Sequence, residues 1–486
     1  MTILLSHGRV PHSPTGVELN MTLKPKPLVT SILLVNLAYP HGKPQAFLPG
    51  GLLNLGSRLL TRGITVGLKD LNFHEVTLAE CQNYAAVGIT LIGSAMIPQA
   101  YKVFRHLKAE GYSGRLLLGG PLVATLTDED VADLTKELPG VECIRTDVDL
   151  MGVFGPGLMA KQAVNMVPML EKLATEDPTL LIRYLSNEFC LYTSSGCVYK
   201  CAFCAAPENG HNQQGARERY RAIEPMEAEI RWICSFLAEH TEVKTLRMYL
   251  SNLDAFQTFP QLIAVLETVN RVCAEFGMKP LMRCLATPHF VFINLKKGPE
   301  VGQMVRSLGL YEAGIGVDGL GPKYWKATNK VQNKMPEVLQ AMLLLKEADI
   351  ICELLMVQGG RVDTFWMMFR SYLFCVWYAC KGFTTRTYMA KEPPGSQFWR
   401  ELHHAERQRY WQDPVLFKML DFAMNAGELT HPNWWKRVTS NLFFNLTVRT
   451  LQPFGRCTTY PLHALPLDPK KRPQVEAYNS RIPFDK

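Results

Sequence analysis

The chain has 486 residues, 47% hydrophobic and 20% charged, the composition of a folded globular protein with room for two or three domains. Its 52 basic and 44 acidic residues leave a net charge of +8. The densest basic run, Lys470-Lys471-Arg472, reads as a solvated tail, so no nucleic-acid partner is expected. Thirteen cysteines, an odd count, suit reduced thiols better than a disulfide framework. Residues 1–14 lack the apolar core of a signal peptide, and the expected location is cytoplasmic. No transmembrane segment is expected. The most apolar run, 365–380, is short and broken by Arg370. It reads as a buried amphipathic helix, although Trp366, Phe369, Tyr372, Trp377 and Tyr378 leave peripheral membrane contact open.

Residues 1–27 read as an amino-terminal arm. Over 28–150, apolar runs alternate with helical ones: strands at 31–36, 65–71, 86–91 and 115–118, helices at 51–62 and 98–110. That alternation indicates a parallel, doubly wound (Rossmann-like) α/β domain, whose ligands sit beyond the carboxyl ends of its strands. Residues 151–180, with Gly155-Pro156-Gly157 and a helical stretch at 167–174, read as a linker.

Six strand–helix units then fill 181–400. Their strands fall at 188–193, 243–250, 279–286, 310–317, 350–357 and 383–389, separated by helices with one apolar face. Six such units make an incomplete (β/α)6 barrel, where chemistry gathers at the carboxyl ends of the strands. Residues 401–486 read as mainly helical, with His403-His404 an exposed pair rather than a metal site.

The sharpest local motif is Cys197-Val198-Tyr199-Lys200-Cys201-Ala202-Phe203-Cys204. Three cysteines at this spacing can turn three thiolates toward one point. A tetrahedral zinc site or an ordinary four-iron cluster needs a fourth ligand. The next cysteine, Cys234, lies thirty residues on. Either one iron stays open, or a distant side chain completes a zinc knuckle and the chain is a non-catalytic scaffold, or the three cysteines fall together by chance.

The spacing, with Phe203 before the last cysteine and six barrel units around it, resembles the radical SAM superfamily. That resemblance implies a [4Fe-4S] cluster held by Cys197, Cys201 and Cys204. The open iron binds S-adenosyl-L-methionine and reduces it to a 5′-deoxyadenosyl radical. Phe203 would pack on the adenine. Ser251, Asn252 and Asp254, after the second barrel strand, stand where the family binds the methionine amino group; a helix cap is the other role for Asn252 or Asp254. Arg283, inside an apolar strand, needs an anionic partner, either the cofactor carboxylate or a structural ion pair. Asp318 would take the ribose hydroxyls, unless Asp318-Gly319 is turn chemistry alone. Gln358-Gly359-Gly360 would face adenine, and Pro393-Pro394-Gly395-Ser396 resembles the family's Pro-Gly-Thr segment. Tyr388, Lys391 and Glu392 would line the rim.

The amino-terminal domain resembles the cobalamin-binding domain that precedes many radical SAM cores. The resemblance rests on 48–55 (LPGGLLNL), Arg62-Gly63, Asp70-Leu71-Asn72, Gly88-Ile89-Thr90 and Gly119-Gly120-Pro121. It implies that Tyr39, His41, Thr90, Gly119, Gly120 and Pro121 surround cobalamin. His41 lies in the loop of the cobalt-ligating histidine but lacks the accompanying Asp and Gly spacing. Together the resemblances imply a cobalamin-dependent methyltransferase acting on an unactivated carbon of a small-molecule or peptide substrate. Electrons would come from a flavodoxin- or ferredoxin-type donor. Cyclisation, oxidation or rearrangement with a degenerate cobalamin domain is the alternative within the same superfamily.

Overall fold

The computed structural model describes residues 27–38, 47–93, 96–136, 138–158, 165–205, 216–390, 393–412 and 434–458. Five strands form the first sheet: β1 (Ser31–Asn36), β2 (Thr65–Asp70), β3 (Ala86–Thr90), β4 (Arg115–Gly119) and β5 (Val141–Cys143). All pair in parallel, in the order β2-β1-β3-β4-β5. Alternation along β1 sends Ile32 and Leu34 into one apolar core and Leu33 and Val35 into another. Both faces are therefore covered, as in a doubly wound sheet. Winding reverses between β1 and β3, and a crevice opens beyond their carboxyl ends at such a point. The three-residue β5 lay outside the sequence expectation.

The second sheet takes up the six expected barrel strands: β6 (Phe189–Tyr192), β9 (Thr245–Ser251), β10 (Lys279–Ala286), β11 (Leu310–Asp318), β12 (Ile351–Gln358) and β13 (Thr384–Met389). Each pairs in parallel with the next, and a two-residue β14 (Cys457–Thr458) extends the edge beside β13. Inserted after β6 is an antiparallel hairpin of β7 (Ser194–Cys197) and β8 (Ala216–Tyr220). It was not foreseen, because Ser-Ser-Gly-Cys has neither apolar alternation nor β-branched residues.

The segment expected as a linker is helical over Val167–Glu176 and Pro178–Ser186, each helix opened by a proline in its first turn. Met169, Leu170, Leu173 and Leu181 are buried there. The Ser57 hydroxyl donates to the Met166 carbonyl at 3.2 Å, and the Met166 amide donates to the Glu229 carboxylate at 2.6 Å. Residues 393–412 form a second tie. The Thr125 hydroxyl donates to the Pro394 carbonyl at 3.1 Å, and the Trp399 indole donates to Asp130 at 3.2 Å. His403 and His404 are exposed, as expected, and His404 Nε2 lies 3.1 Å from an Asp133 oxygen. Among the described residues no helix is long and apolar enough to cross a membrane.

Candidate active site

The cysteine loop hangs on the β7–β8 hairpin. The register shifts between Ser195 and Cys197, where Gly196 adopts φ +96°, a left-handed value that glycine takes without strain. Cys197 therefore ends a strand while Cys201 and Cys204 occupy the following turn, closed by the Cys204 amide donating to the Cys201 carbonyl at 3.1 Å. Three other segments hold the turn. The Ala202 amide donates to the Thr328 carbonyl at 2.9 Å, and the Phe398 amide donates to the Ala202 carbonyl at 3.1 Å. The Asn329 side chain donates to the Lys200 carbonyl at 2.6 Å, and the Val198 amide donates to Gln257 Oε1 at 3.3 Å.

Burial pushes the Cys197 thiol up to about 12, and any charge on Asp254, Cys201 or Cys204 raises it further. A thiolate here needs a cation. Among the described residues no three Cys, His, Asp or Glu side chains are gathered into one metal-binding shell. The cysteines share one neighbourhood without converging on a point. The cation built into the fold is Lys330, buried, its Nζ 5.8 Å from the centre of the half-buried Phe203 ring. Burial pulls Lys330 below its ordinary value, and charge on Cys201, Cys204 and Asp254 acts in the opposite direction.

Lys330 also settles the surroundings of Asp318. The two form a buried ion pair, and Asp318 sits at φ +59°, so the turn reading and a charge partner both apply. Arg283 finds its anion within the protein: Glu188 accepts from its Nε and Nη2, each at 2.6 Å. The Tyr249 ring lies beneath it at 4.4 Å. Of the two partners open to Arg283, the structure supplies the ion pair, which leaves its guanidinium committed rather than awaiting a cofactor carboxylate. Asp254 is likewise engaged, accepting from the Thr287 amide at 3.2 Å and hydroxyl at 2.7 Å, just before helix Pro288–Leu295. Burial raises it to about 7.

Asn252 differs from these. It is buried at the carboxyl end of β9, next to the half-buried Ser251, and neither its amide nitrogen nor its oxygen has a well-formed hydrogen bond. Gln257 Nε2 and Gln332 Oε1 are also buried without partners. Both side chains touch the cysteine loop, Gln257 through Val198 and Gln332 through a 3.9 Å contact with the Cys201 sulfur. Buried polar atoms without partners are rare and costly, and a polar ligand would satisfy them. Three thiols on one loop and these atoms have the chemistry that a cluster with a zwitterionic cofactor needs, while the sulfurs themselves are not gathered into one shell. Gln257, Lys330, Gln332 and Glu218 escaped the sequence reading. Glu218, on β8, accepts from the Ser194 hydroxyl at 2.6 Å, and burial raises it to about 8.

Elsewhere on the barrel, Gln358 donates to the Thr447 hydroxyl at 3.1 Å, which ties it to helix Trp434–Leu451. Tyr388 is half-buried near the end of β13, and Lys391 and Glu392 lie outside the described residues. Cys284, Cys352 and Cys375 are buried, as expected of small core residues. A cleft of about 530 Å³ lined by Lys279, Arg306 and Asp349 lies at the amino ends of β10 and β11, the end opposite the cysteines.

In the first sheet, Thr90, Gly119, Gly120 and Pro121 meet at the carboxyl ends of β3 and β4, while Tyr39 and His41 lie outside the described residues. Gly120 has φ +101°, and a Cβ there would come within 2.4 Å of Thr90 Oγ1 and 2.8 Å of the Leu91 carbonyl. The protein's own packing therefore demands this glycine. Ile92 is 55% exposed just beyond β3, and a Cβ on Gly50 or Gly51, which open the helix that follows β1, would meet nothing within 4 Å. Both places lie beyond the carboxyl ends of the strands at the winding reversal, where sheets of this kind take their ligands.

No family model matches the chain, and no curated protein matches its sequence. Solved structures do match. The radical S-adenosylmethionine methyltransferase TsrM from Kitasatospora setae, with cobalamin and a [4Fe-4S] cluster bound, aligns with a TM-score of 0.55 at 15% identity, over 76% of this chain and 77% of that one. The cobalamin-dependent S-adenosylmethionine radical enzyme OxsB, with aqua-cobalamin and S-adenosylmethionine bound, aligns with a TM-score of 0.58 at 12% identity, over 87% of this chain and 61% of that one. The fold is that of the cobalamin-associated radical SAM enzymes. The barrel units fill under half of the chain, so an overlap of 87% takes in the first sheet as well.

Proposed function

We propose that this chain is a radical S-adenosylmethionine enzyme that also uses cobalamin, a methyltransferase acting on an unactivated carbon of a small molecule or peptide. It would work in the cytoplasm with a flavodoxin- or ferredoxin-type electron donor. One observation carries the reading: three cysteines and the buried side-chain atoms of Asn252, Gln257 and Gln332 that lack a well-formed hydrogen bond share the carboxyl end of a parallel half-barrel.

Cys197, Cys201 and Cys204 would hold the cluster, leaving one iron for the cofactor. Asn252, with Ser251 and Gln257 beside it, would take the polar head of S-adenosylmethionine, and Phe203 its adenine. Thr90, the Gly119–Pro121 turn and Ile92 would border the corrin. When bound, these groups supply a carbon-centred radical and a transferable methyl group. The chain's own part is placement. Lys330 offsets the negative charge of the thiolates and of Asp318. The contacts of Ala202 with Phe398, and of Thr125 with Pro394, put one short segment against both the cysteine loop and the first sheet. That segment would hold the two cofactor regions next to each other and help to exclude water.

Anaerobic reconstitution with iron, sulfide and hydroxocobalamin tests the reading. The expected product binds about four irons per chain, binds corrin, and forms 5′-deoxyadenosine when reduced with S-adenosylmethionine. Deoxyadenosine without corrin binding would move the assignment to cyclisation, oxidation or rearrangement. A colourless zinc protein would discard it.

A further inference from the structure

Half of the exposed large apolar side chains lie in one place. Of eighteen among the described residues, nine belong to two helices, Phe365–Cys380 and Trp434–Leu451. All four exposed tryptophans are among them, with Trp366 66%, Trp377 60% and Trp435 68% accessible. The helices pack side by side. Phe443 lies 5.2 Å from Phe365 and 6.0 Å from Phe369 between ring centres, and the Ser440 hydroxyl contacts the Met368 sulfur at 3.5 Å. With their inner faces spent on each other and on the barrel, the outer stripes face solvent. One stripe is Trp366, Arg370, Leu373 and Trp377; the other is Trp435, Val438, Leu442, Leu446 and Arg449. Both follow helical three- and four-residue spacing.

Charge identifies the partner. Neither helix contains an aspartate or glutamate, while Arg370, Lys436, Arg437 and Arg449 lie on them and Lys381 follows the first. Lys381 sits over the Trp377 ring, its Nζ 5.1 Å from the ring centre, so a cation lies on the face of an exposed indole. Exposed tryptophans with interleaved cations and no acids match a bilayer interface, where indoles settle among headgroups and cations meet anionic lipid. The same charge disfavours a second copy, since face-to-face pairing would bring cations together.

We propose that this two-helix face docks the protein onto an anionic phospholipid bilayer. The proposal goes beyond the radical-enzyme reading and does not rest on it. The test uses the full chain with vesicles of phosphatidylcholine containing about 30% phosphatidylglycerol, and with phosphatidylcholine alone as reference. Flotation measures partitioning, and quenching by bromolipids measures indole insertion. Expected are binding to the anionic vesicles that weakens with salt, and quenching of tryptophan emission. A Trp366→Ser/Trp377→Ser/Trp435→Ser triple variant should lose about tenfold or more in partitioning, and so should Arg370→Glu/Lys381→Glu/Arg449→Glu. These side chains are exposed, and unchanged circular dichroism would confirm that both variants fold. No binding to anionic vesicles, equal binding by the variants, or a dimer that the tryptophan variant dissolves would overturn the proposal.

Discussion

The two parallel sheets obey the same winding rules and are filled in opposite ways. In the first sheet, β1, β3 and β4 bury aliphatic and aromatic residues on both faces, and the buried carboxylate of Asp70 at the end of β2 is met by neutral donors, Asn36 at 3.1 Å, Asn72 at 2.7 Å and the Tyr184 hydroxyl. The barrel sheet buries a string of charges. Glu188 holds Arg283, Glu353 holds Arg386 with one contact at 3.0 Å, and Glu312 lies 3.9 Å from Arg386. Burial and the Glu353 charge raise Glu312. A sheet covered by helices on both faces is filled mainly by shape, and its buried carboxylate here has neutral donors rather than a cation. A half-barrel has an inner face that must be filled and yet admit polar ligands, and paired charges fill it without closing it. At the carboxyl end the string gives way to one more ion pair, Lys330 with Asp318, and to Asn252, Gln257 and Gln332, each with a buried side-chain atom that lacks a well-formed hydrogen bond.

The sharpest break in this contrast comes at the cysteines. Changing Cys197, Cys201 or Cys204 to Ala should abolish iron retention and reduce deoxyadenosine formation to background, with circular dichroism unchanged. Next come paired substitutions in the two sheets. Arg283→Met strands Glu188 and should cost about 3–5 kcal/mol, read by urea unfolding. Adding Glu188→Leu should restore most of that loss. Leu118→Ala, in the first sheet, should cost about 2–5 kcal/mol through a cavity, with no charge partner whose removal restores it.

A smaller effect is expected with pH. The Glu218 carboxyl moves from its ordinary 4.5 to about 8. Between those values the folded state holds a proton that the unfolded state has lost, so stability falls as pH rises, by up to ~1.4 kcal/mol per unit. Asp254, raised to about 7, adds to the lower part of that slope. Glu218→Gln should therefore flatten the urea midpoint between pH 7 and 8 and leave the Asp254 contribution below. The smallest effect is local: Asn252→Ala should weaken S-adenosylmethionine binding about tenfold, or about 1.4 kcal/mol, at unchanged iron content. Unchanged affinity would assign Asn252 to the fold alone.

Much of this contrast was legible in the chain. The apolar runs at 31–36, 86–91 and 350–357 declare themselves because buried parallel strands are nearly continuous in hydrophobicity, while mixed runs such as Thr384–Met389 stand out by their place between helices. Strand β5 escaped because it is three residues long, and β7 because its pairing depends on a hairpin bulge rather than on pattern. The cysteine loop was readable as local spacing. Partners were not: Glu188 precedes Arg283 by 95 positions. Lys330 lies in an irregular stretch where a lysine carries no signal, and only the fold brings it under Phe203. A charged residue inside an apolar strand was the available clue, and Glu312 and Glu353 carried it as plainly as Arg283, whereas Arg386 stands among threonines.

The central claim is that the protein leaves one cluster iron open and that the barrel mouth presents S-adenosylmethionine to it. Electron–nuclear double resonance on the reduced, reconstituted protein with cofactor labelled in its amino nitrogen and carboxylate oxygen reads this directly. Hyperfine coupling from both labels to the cluster, weakened in Asn252→Ala and absent without Cys201, is the expected result. A cluster that shows no coupling to either label, or one whose fourth iron keeps a protein ligand when the cofactor is present, would contradict it.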